Sequence, residues 1–192
     1  MADVHVVAIC GSLRDESYTR IAMQRALDGA ANAGASTDLL DLREWELPVY
    51  DPDEDDAGDA AAFRERVREA DSILLGSPMY HGSYSAALKN ALDYCGFDEF
   101  EHTTVGLLGV AGGSFPITTL EHLRSVGRAL NAWVIPHQAA IPRSHSSFAD
   151  GEFVDEGTED RVLTLGREAV RFANIEPDPS TFEGDENVGA GH

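Results

Sequence analysis

A turn rich in hydroxyl groups lies between the first apolar segment of the chain and the first predicted helix. It reads Gly11-Ser12-Leu13-Arg14-Asp15-Glu16-Ser17-Tyr18-Thr19-Arg20. Backbone N–H groups at a helix start have no partner inside the helix, and the helix dipole adds partial positive charge there, so an anion is stabilised at that end. Ser12, Ser17 and Thr19 add neutral hydrogen-bond donors. Because the guanidinium of Arg14 adds a strong positive charge, the segment predicts a phosphate-binding loop.

The spacing within this loop limits the kind of phosphate it can bind. The chain has no Gly-x-x-x-x-Gly-Lys-Ser/Thr sequence for a triphosphate. No Gly-x-Gly-x-x-Gly follows the first strand to hold a dinucleotide pyrophosphate. We therefore expect a ligand with a single phosphate.

The charge of the chain argues against two classes of partner. The 192 residues include 34 Asp and Glu against 14 Lys and Arg, a formal net charge of -20, and Lys89 is the only lysine. Binding a polyanion requires clustered basic residues, so nucleic acid and anionic membrane surfaces are not expected partners. An acidic chain with almost no lysine resembles proteins of salt-adapted organisms, and an ordinary acidic protein is the alternative.

Length and cysteine usage indicate a single cytoplasmic domain. A chain of 192 residues can bury a sizeable core, and no apolar run approaches the length of a bilayer span. No basic flank, apolar region or small-residue cleavage site precedes the first strand, which favours the cytoplasm. Cys10 and Cys95 form no C-x-x-C pair, and a disulfide between them is not expected. Residues 1–175 are predicted to form one domain, and residues 176–192 a flexible acidic tail.

Strand and helix signals alternate along the chain. Apolar runs such as residues 4–9 and 73–75 have no polar face, as in parallel sheets that helices cover on both sides. The predicted strands are residues 4–9, 36–42, 72–77, 104–110 and 133–141. The predicted helices are residues 19–32, 60–70, 84–94, 118–131 and 160–173. This order predicts a doubly wound α/β domain.

A long connection, residues 45–58, shows neither helical nor strand periodicity. Its acidic half is expected to be a solvated loop. Its first half contains Trp45, Leu47, Val49 and Tyr50, which are too apolar for a free loop. This half should pack against the sheet edge, a second subunit or a ligand.

Ligands of open α/β sheets bind beyond the carboxyl ends of the strands, and two further loops belong at that edge. Residues 76–84 follow the third strand, and Pro78 stiffens the turn while Gly82 permits close backbone approach. Such a loop can lie flat against a planar ligand. Residues 111–116 follow the fourth strand, where Gly112 and Gly113 let the backbone come close to a ligand.

Together these loops resemble the NADPH-dependent FMN reductase family of the flavodoxin-like fold, from Val4 to about Ile141. Gly11-Ser12-Leu13-Arg14 with Ser17 resembles the FMN-phosphate loop of that family. Residues 77–83, followed by Leu88-Lys89-Asn90 and Leu92-Asp93, resemble its flavin-ring loop and the adjoining helix. Thr19-Arg20 departs from the family, which often has Asn close behind the serine. The resemblance implies a three-layer α/β sandwich with a five-stranded parallel sheet of order 2-1-3-4-5.

The resemblance also implies FMN as bound cofactor and NAD(P)H as co-substrate. The implied cofactor-binding residues are Ser12, Arg14, Ser17, Tyr18, Thr19, Pro78, Met79, Tyr80, His81, Gly82, Ala111, Gly112 and Gly113. Hydride chemistry belongs to the flavin, so no acid-base catalyst is expected, and His81 is read as an ordinary polar contact. The seven histidines have no metal-ligand spacing, so no metal site is expected.

The expected activity is hydride transfer from NAD(P)H to N5 of FMN, followed by electron transfer to a quinone, free flavin or similar small molecule. A ping-pong mechanism follows if both substrates use the same open face. The resemblance implies a homodimer or homotetramer with each flavin near a subunit boundary. A flavodoxin-like electron carrier and a non-catalytic flavin-binding sensor are the alternatives, and both predict no steady oxidation of NAD(P)H.

Overall fold

A computed structural model describes residues 4–173 as one parallel sheet covered by helices on both faces. The strands are β1 (His5–Cys10), β2 (Ser36–Asp41), β3 (Ser72–Pro78), β4 (Thr104–Val110) and β5 (Trp133–Ile141). Their order is β2-β1-β3-β4-β5, and every neighbouring pair is parallel. The predicted order and fold class are confirmed.

Seven helices and a small hairpin occur in the described part of the chain. The helices are α1 (Tyr18–Asn32), α2 (Ala60–Arg68), α3 (Ala86–Asp93), α4 (Phe97–Phe100), α5 (Ile117–Ala129), α6 (Ser144–Ser147) and α7 (Glu156–Arg171). The hairpin pairs β6 (Phe148–Ala149) with β7 (Glu152–Phe153). The prediction of five helices was wrong, because the one-turn helices α4 and α6 are too short to show a periodicity.

Two predicted helix starts were also misplaced, and capping side chains explain both. α3 begins at Ala86 rather than Tyr84, since the Ser85 hydroxyl accepts a hydrogen bond from the Leu88 N–H at 3.1 Å. α7 begins four residues before Asp160, because the carboxylate of Asp155 accepts from the Thr158 N–H at 2.6 Å. Each cap satisfies a backbone donor that has no partner inside the helix.

The core consists of two apolar clusters, one on each face of the sheet. One cluster joins the sheet to α1 and α7, and the other joins it to α2, α3 and α5. α1 and α7 pack closely because Gly166 has no side chain: a Cβ there would lie 1.8 Å from the carbonyl oxygen of Ala26. The two clusters hold the carboxyl ends of β1, β3, β4 and β5 at one edge, where the predicted loops meet.

The apolar half of residues 45–58 packs against helices of its own chain. The Trp45 ring meets Phe63 of α2 edge to face, with ring centroids 5.4 Å apart. On α3, the Asn90 amide nitrogen donates to the Pro48 carbonyl at 2.8 Å, and its oxygen accepts from the Tyr50 N–H at 2.8 Å. These contacts join the segment to α2 and α3, whereas Val49 is 87% exposed and leaves part of the segment uncovered.

Both cysteines are buried free thiols. Burial raises the pKa of the Cys10 thiol to about 11, and burial raises the pKa of the Cys95 thiol still further. Neither is a nucleophile at neutral pH, because the thiolate is the reactive form. No helix within residues 4–173 combines the length and apolar character that a membrane crossing requires. The predicted tail, residues 176–192, lies outside the described residues.

Candidate cofactor site

The phosphate loop, defined here as residues 11–17, is fixed to the sheet at its first residue. The Gly11 N–H donates to the Gly76 carbonyl of β3 at 2.8 Å, and the Ser85 hydroxyl donates to the Gly11 carbonyl at 2.6 Å. A Cβ on Gly11 would lie 2.7 Å from Cβ of Leu88 in α3. Only glycine allows this close approach, so the loop begins from a defined position.

Hydroxyl groups of the phosphate loop and the first helical turn are buried but keep the capacity to donate. Ser12, Ser17 and Thr19 are at most 2% exposed. The Ser17 hydroxyl, rather than that of Thr19, caps α1 by accepting from the Arg20 N–H at 3.1 Å. A hydroxyl that accepts one hydrogen bond still has its own O–H to donate. The hydroxyl of Ser17 therefore supports the helix and remains available to an anion.

A cleft of about 270 Å³ opens at the carboxyl edge of the sheet, between the phosphate loop and the segments after β3, β4 and β5. Nine of the thirteen predicted site residues line it: Ser12, Arg14, Ser17, Tyr18, Thr19, Pro78, Met79, Tyr80 and Gly112. The loops that were placed at one edge from strand order alone do meet in space, as the parallel sheet requires.

His81 and Gly82 lie outside the lining of the cleft, at the tip of the turn after β3. Their φ angles are 51° and 84°, in the left-handed region. Tyr80 and Ser83 close the turn by exchanging two backbone hydrogen bonds of 2.9 and 3.1 Å. This tight turn directs the Tyr80 side of the loop toward the cleft and leaves the exposed His81 at its end.

Ala111 and Gly113 also lie outside the lining, because their backbone groups bind the segment after β5. The Ala111 N–H donates to the Ile141 carbonyl at 2.9 Å, and the Ala111 carbonyl accepts from the Ser144 N–H at 2.9 Å. The Gly113 carbonyl accepts from the Arg143 N–H at 2.8 Å. These two residues therefore position the start of α6 beside the cleft.

Four lining residues were missed from the sequence: Glu16, Val110, Ser144 and His145. Ser144 and His145 follow the fifth strand, and the rule that ligands bind at strand ends could have found them. The His145 ring meets Tyr18 edge to face at 6.0 Å, and Tyr18 stacks on Phe148 at 4.8 Å. Aromatic packing thus couples the hairpin after α6 to the start of α1.

The two ends of the cleft differ in chemistry. The loop end offers hydroxyls, helix N–H groups and the guanidinium of Arg14, which suit an anion. The other end is lined by Pro78, Met79 and Val110, and the Thr118 hydroxyl reaches the Met79 sulfur at 3.5 Å. A Cβ on Gly112 would meet no atom within 4 Å, so this residue leaves open space. A phosphate at one end and a planar ring at the other fit this set of groups.

The fold defines a flavodoxin-like α/β protein, and the cleft is its candidate site for a phosphorylated planar cofactor. The sequence profile of the NADPH-dependent FMN reductase family matches residues 4–146. The FMN-dependent NADPH-azoreductase of Staphylococcus haemolyticus is 33% identical over 178 residues, which cover 88% of this chain and 95% of that protein. The chain belongs to the NADPH-dependent FMN reductase family, and it is an FMN-dependent NAD(P)H oxidoreductase.

Solved structures give the same fold. FerB of Paracoccus denitrificans, a flavoenzyme NAD(P)H:(acceptor) oxidoreductase, matches with a TM-score of 0.74 at 21% identity, over 88% of this chain and 97% of that one. A flavodoxin from the domain Archaea matches with a TM-score of 0.63 at 12% identity, over 88% and 97% of the two chains. An oxidoreductase and a flavodoxin therefore share the fold, and the family assignment depends on the sequence.

Proposed function

We propose that this protein uses NAD(P)H to reduce small planar acceptors such as quinones, free flavins or azo compounds. The observation that carries the proposal is the open end of the cleft. Tyr80 there is 50% exposed, whereas the hydroxyls at the loop end are buried. A cofactor held at its buried end would present a ring face to solvent, where a nicotinamide and then an acceptor can stack.

In this proposal the cofactor phosphate lies against Ser12, Arg14, Ser17 and Thr19, with Tyr18 beside them. The planar guanidinium of Arg14 can donate two parallel hydrogen bonds to phosphate oxygens, which a lysine cannot. Pro78, Met79, Tyr80 and Gly112 line the ring. His81 and Gly82 border the ring edge from the turn, and Ala111 and Gly113 act through the segment that they position.

FMN held in the cleft would supply the hydride chemistry between NAD(P)H and the acceptor. The chain contributes alignment: the loop after β3 and Gly112 fix the plane in which two rings stack. No side chain at the open end is assigned a proton-transfer role. Both substrates use one face in turn, which predicts ping-pong kinetics.

Steady-state kinetics tests this proposal. With NADPH and a quinone varied together, double-reciprocal plots should be parallel, and anaerobic NADPH should bleach a flavin absorption band that the quinone restores. A flavin-loaded protein that NAD(P)H does not bleach would favour the carrier or sensor alternative. Intersecting plots would show that both substrates bind together, against a single shared face.

We propose further that a second copy of the chain covers an apolar groove beside the cleft. The groove, about 530 Å³, lies between α3 and the apolar half of residues 45–58. Val49 and Leu13 in it are 87% and 59% exposed. Its polar lining residues are Lys89, Asn90 and Asp93, and Lys89 is ion-paired with Asp93. Because Leu13 lies within the phosphate loop, a partner seated here would border the cofactor site.

Light scattering tests the dimer. The wild-type chain should be at least a dimer in high salt, and Val49→Glu should dissociate it, because a charge cannot be buried in an apolar contact without large cost. Val154→Glu is the matched control, since Val154 is 61% exposed outside the groove and should leave the dimer intact. A monomeric wild-type protein would contradict the proposal.

We also propose that the protein works in the cytoplasm of a salt-adapted organism. The two free thiols suit a reducing compartment. Nine of the 14 basic side chains form ion pairs with carboxylates of the described residues. With 34 acidic against 14 basic side chains the chain keeps a net charge of -20, and salt would screen the repulsion. The melting temperature should therefore rise between low and molar KCl; a constant value would indicate an ordinary acidic protein.

A further inference from the structure

A buried charged residue stands next to the phosphate loop without lining the cleft. Asp41 is the last residue of β2, in register with Cys10, the last residue of β1. It is only 3% exposed. Burial alone would raise the pKa of its carboxyl group, but hydrogen bonds from Arg43 outweigh burial and hold that pKa below its usual range. Asp41 is therefore a buried carboxylate at neutral pH.

Two arginines satisfy this carboxylate. Arg43 approaches both oxygens through Nε, at 3.0 Å each, and donates from Nη2 to Oδ2 at 2.6 Å. Arg20, in the first turn of α1, donates from Nη1 to Oδ2 at 3.3 Å. Since Asp41 is the shared partner, it fixes the positions of both guanidinium groups relative to the end of the sheet.

The same two arginines also hold the phosphate loop. Arg20 donates from Nη1 to the Arg14 carbonyl at 3.4 Å and from Nη2 to the Asp15 carbonyl. Arg43 pairs with the Asp15 carboxylate at 3.2 Å. Arg20 is not among the residues that line the cleft, and it borders a separate cavity between α1 and β7. It therefore binds the loop from the side away from the proposed phosphate.

This arrangement has a consequence for anion binding. A loop that binds an anion must direct N–H groups toward the ligand, so carbonyl groups must point elsewhere and need donors of their own. A guanidinium can donate to two carbonyls and a carboxylate at once because its donors form a rigid planar fork, whereas an ammonium group is a compact point charge. Fixing the carbonyls of Arg14 and Asp15 fixes the two peptide planes on either side of Asp15, the first of which carries the Arg14 carbonyl.

We propose that Asp41 and Arg20 are positioning residues for the cofactor phosphate. Asp41 fixes Arg20, and Arg20 fixes the backbone of Arg14 and Asp15, so the loop is preformed before the ligand arrives. Preformation lowers the entropy cost of ordering the loop on binding and so strengthens binding. The inference rests on the proposed phosphate site at Ser12, Arg14 and Ser17.

The test titrates the full-length deflavinated protein with FMN and with riboflavin, which lacks the phosphate, and follows flavin fluorescence. Arg20→Lys keeps the charge but removes the fork, and Asp41→Asn removes the charge that fixes Arg20. Each variant should bind FMN at least about tenfold more weakly, the loss expected for one charge-assisted hydrogen bond. Riboflavin binding should change less than about twofold, because riboflavin makes no contact with the phosphate loop.

The matched controls are Asp38→Asn and Arg66→Lys. This ion pair joins the same strand, β2, to α2, without a contact to the loop. Both controls should bind FMN and riboflavin as the wild type does. The Arg20 side chain is 26% exposed, so Arg20→Lys should fold even if Asp41→Asn does not, and it decides the question alone.

Three results would overturn the proposal. Unchanged FMN affinity in Arg20→Lys would show that a positive charge at this position is sufficient and that the planar guanidinium is not required. Tighter FMN binding in Asp41→Asn would show that the carboxylate acts by opposing the phosphate charge. Equal losses for FMN and riboflavin would show general destabilisation. If the proposed phosphate site itself is wrong, the titration gives a different result: the wild type would bind FMN no more tightly than riboflavin.

Discussion

The two ends of the cleft are held in place to different degrees. At the loop end, Ser12, Ser17 and Thr19 are buried, and the loop is hydrogen-bonded to β3, to the N-cap residue of α3 and to the arginine in the first turn of α1. At the open end, Tyr80 is 50% exposed. A ligand that stays bound needs preformed contacts, and substrates that exchange need access. The comparison suggests that cofactor affinity and substrate turnover are controlled by separate residues.

The largest effect is expected at the loop end, from Arg14→Ala. Loss of a charge-assisted contact costs about 1.5 to 3 kcal/mol, so FMN should bind roughly ten- to a hundredfold more weakly. The rate constant for turnover at saturating FMN should remain close to that of the wild type. Fluorescence titration and steady-state kinetics measure the two quantities. Arg128→Ala, an exposed arginine on α5, is the control; equal FMN affinity in both variants would remove Arg14 from the site.

A second test concerns Gly112, at the end of the cleft proposed for the ring. Gly112 lines the cleft and Gly113 does not, although a Cβ on either would meet no atom within 4 Å. Gly112→Val should fill ligand space and weaken FMN binding by about tenfold, in line with the roughly 1 to 3 kcal/mol cost of overpacking. Gly113→Val should bind FMN nearly as the wild type does. If the two variants bind alike in a titration, the boundary of the cleft lies elsewhere.

At the open end, Tyr80→Ala should lower turnover of NAD(P)H more than it lowers the affinity for FMN. This is the reverse of the effect expected for Arg14→Ala. An aromatic stacking contact is worth roughly 0.5 to 1.5 kcal/mol, so kcat/KM for NAD(P)H should fall by about two- to tenfold. FMN affinity should change by less than about threefold. Trp133→Ala is a control, because Trp133 is 44% exposed at the start of β5, the opposite edge of the sheet. A larger loss of FMN affinity than of turnover would contradict the separate roles of the two ends of the cleft.

The smallest effect concerns acid stability. Because the folded pKa of Asp41 lies below the unfolded value of about 3.9, its stabilisation is present above that value and is lost as pH falls through the folded pKa. Asp41→Asn should lower the free energy of unfolding by about 1 kcal/mol at pH 7. The difference from wild type should shrink toward zero in acid below about pH 4. Urea unfolding at a series of pH values measures the difference in free energy of unfolding between the variant and the wild type. A difference that grows in acid would contradict the predicted lowering of the Asp41 pKa.

The parallel sheet was predictable because β1, β3 and β4 carry continuous apolar runs, which are typical of strands covered on both faces. The strand order came from the family resemblance. The short elements were not predictable. α4, α6 and the hairpin have too few residues for a period, and tertiary contacts decide them. The start of α7 was missed because Asp155 and Glu156 were read as loop residues, although an Asp before a helix is a common cap.

Residues that line the cleft were predictable where they fall in contiguous motifs. The loops after β1 and β3 are such motifs, and the family resemblance named their residues. Ser144 and His145 required the topological rule to be applied to the fifth strand as well. The contacts of Asp41 were beyond the sequence, since Arg20 lies 21 residues away and only the register of β2 beside β1 brings them together.

Lys89, at the rim of the apolar groove, also allows assembly to be measured by proteolysis. Because Lys89 is the only lysine, a lysine-specific protease has a single peptide bond to cut in the whole chain, and that bond lies within α3. Proteases cut helical segments only after they open, so the rate of this one cleavage reports how often α3 unfolds locally. The two fragments would separate the first three strands of the sheet from the last two. A second subunit seated on the groove would slow the cut, so digestion against protein concentration would follow assembly without any label.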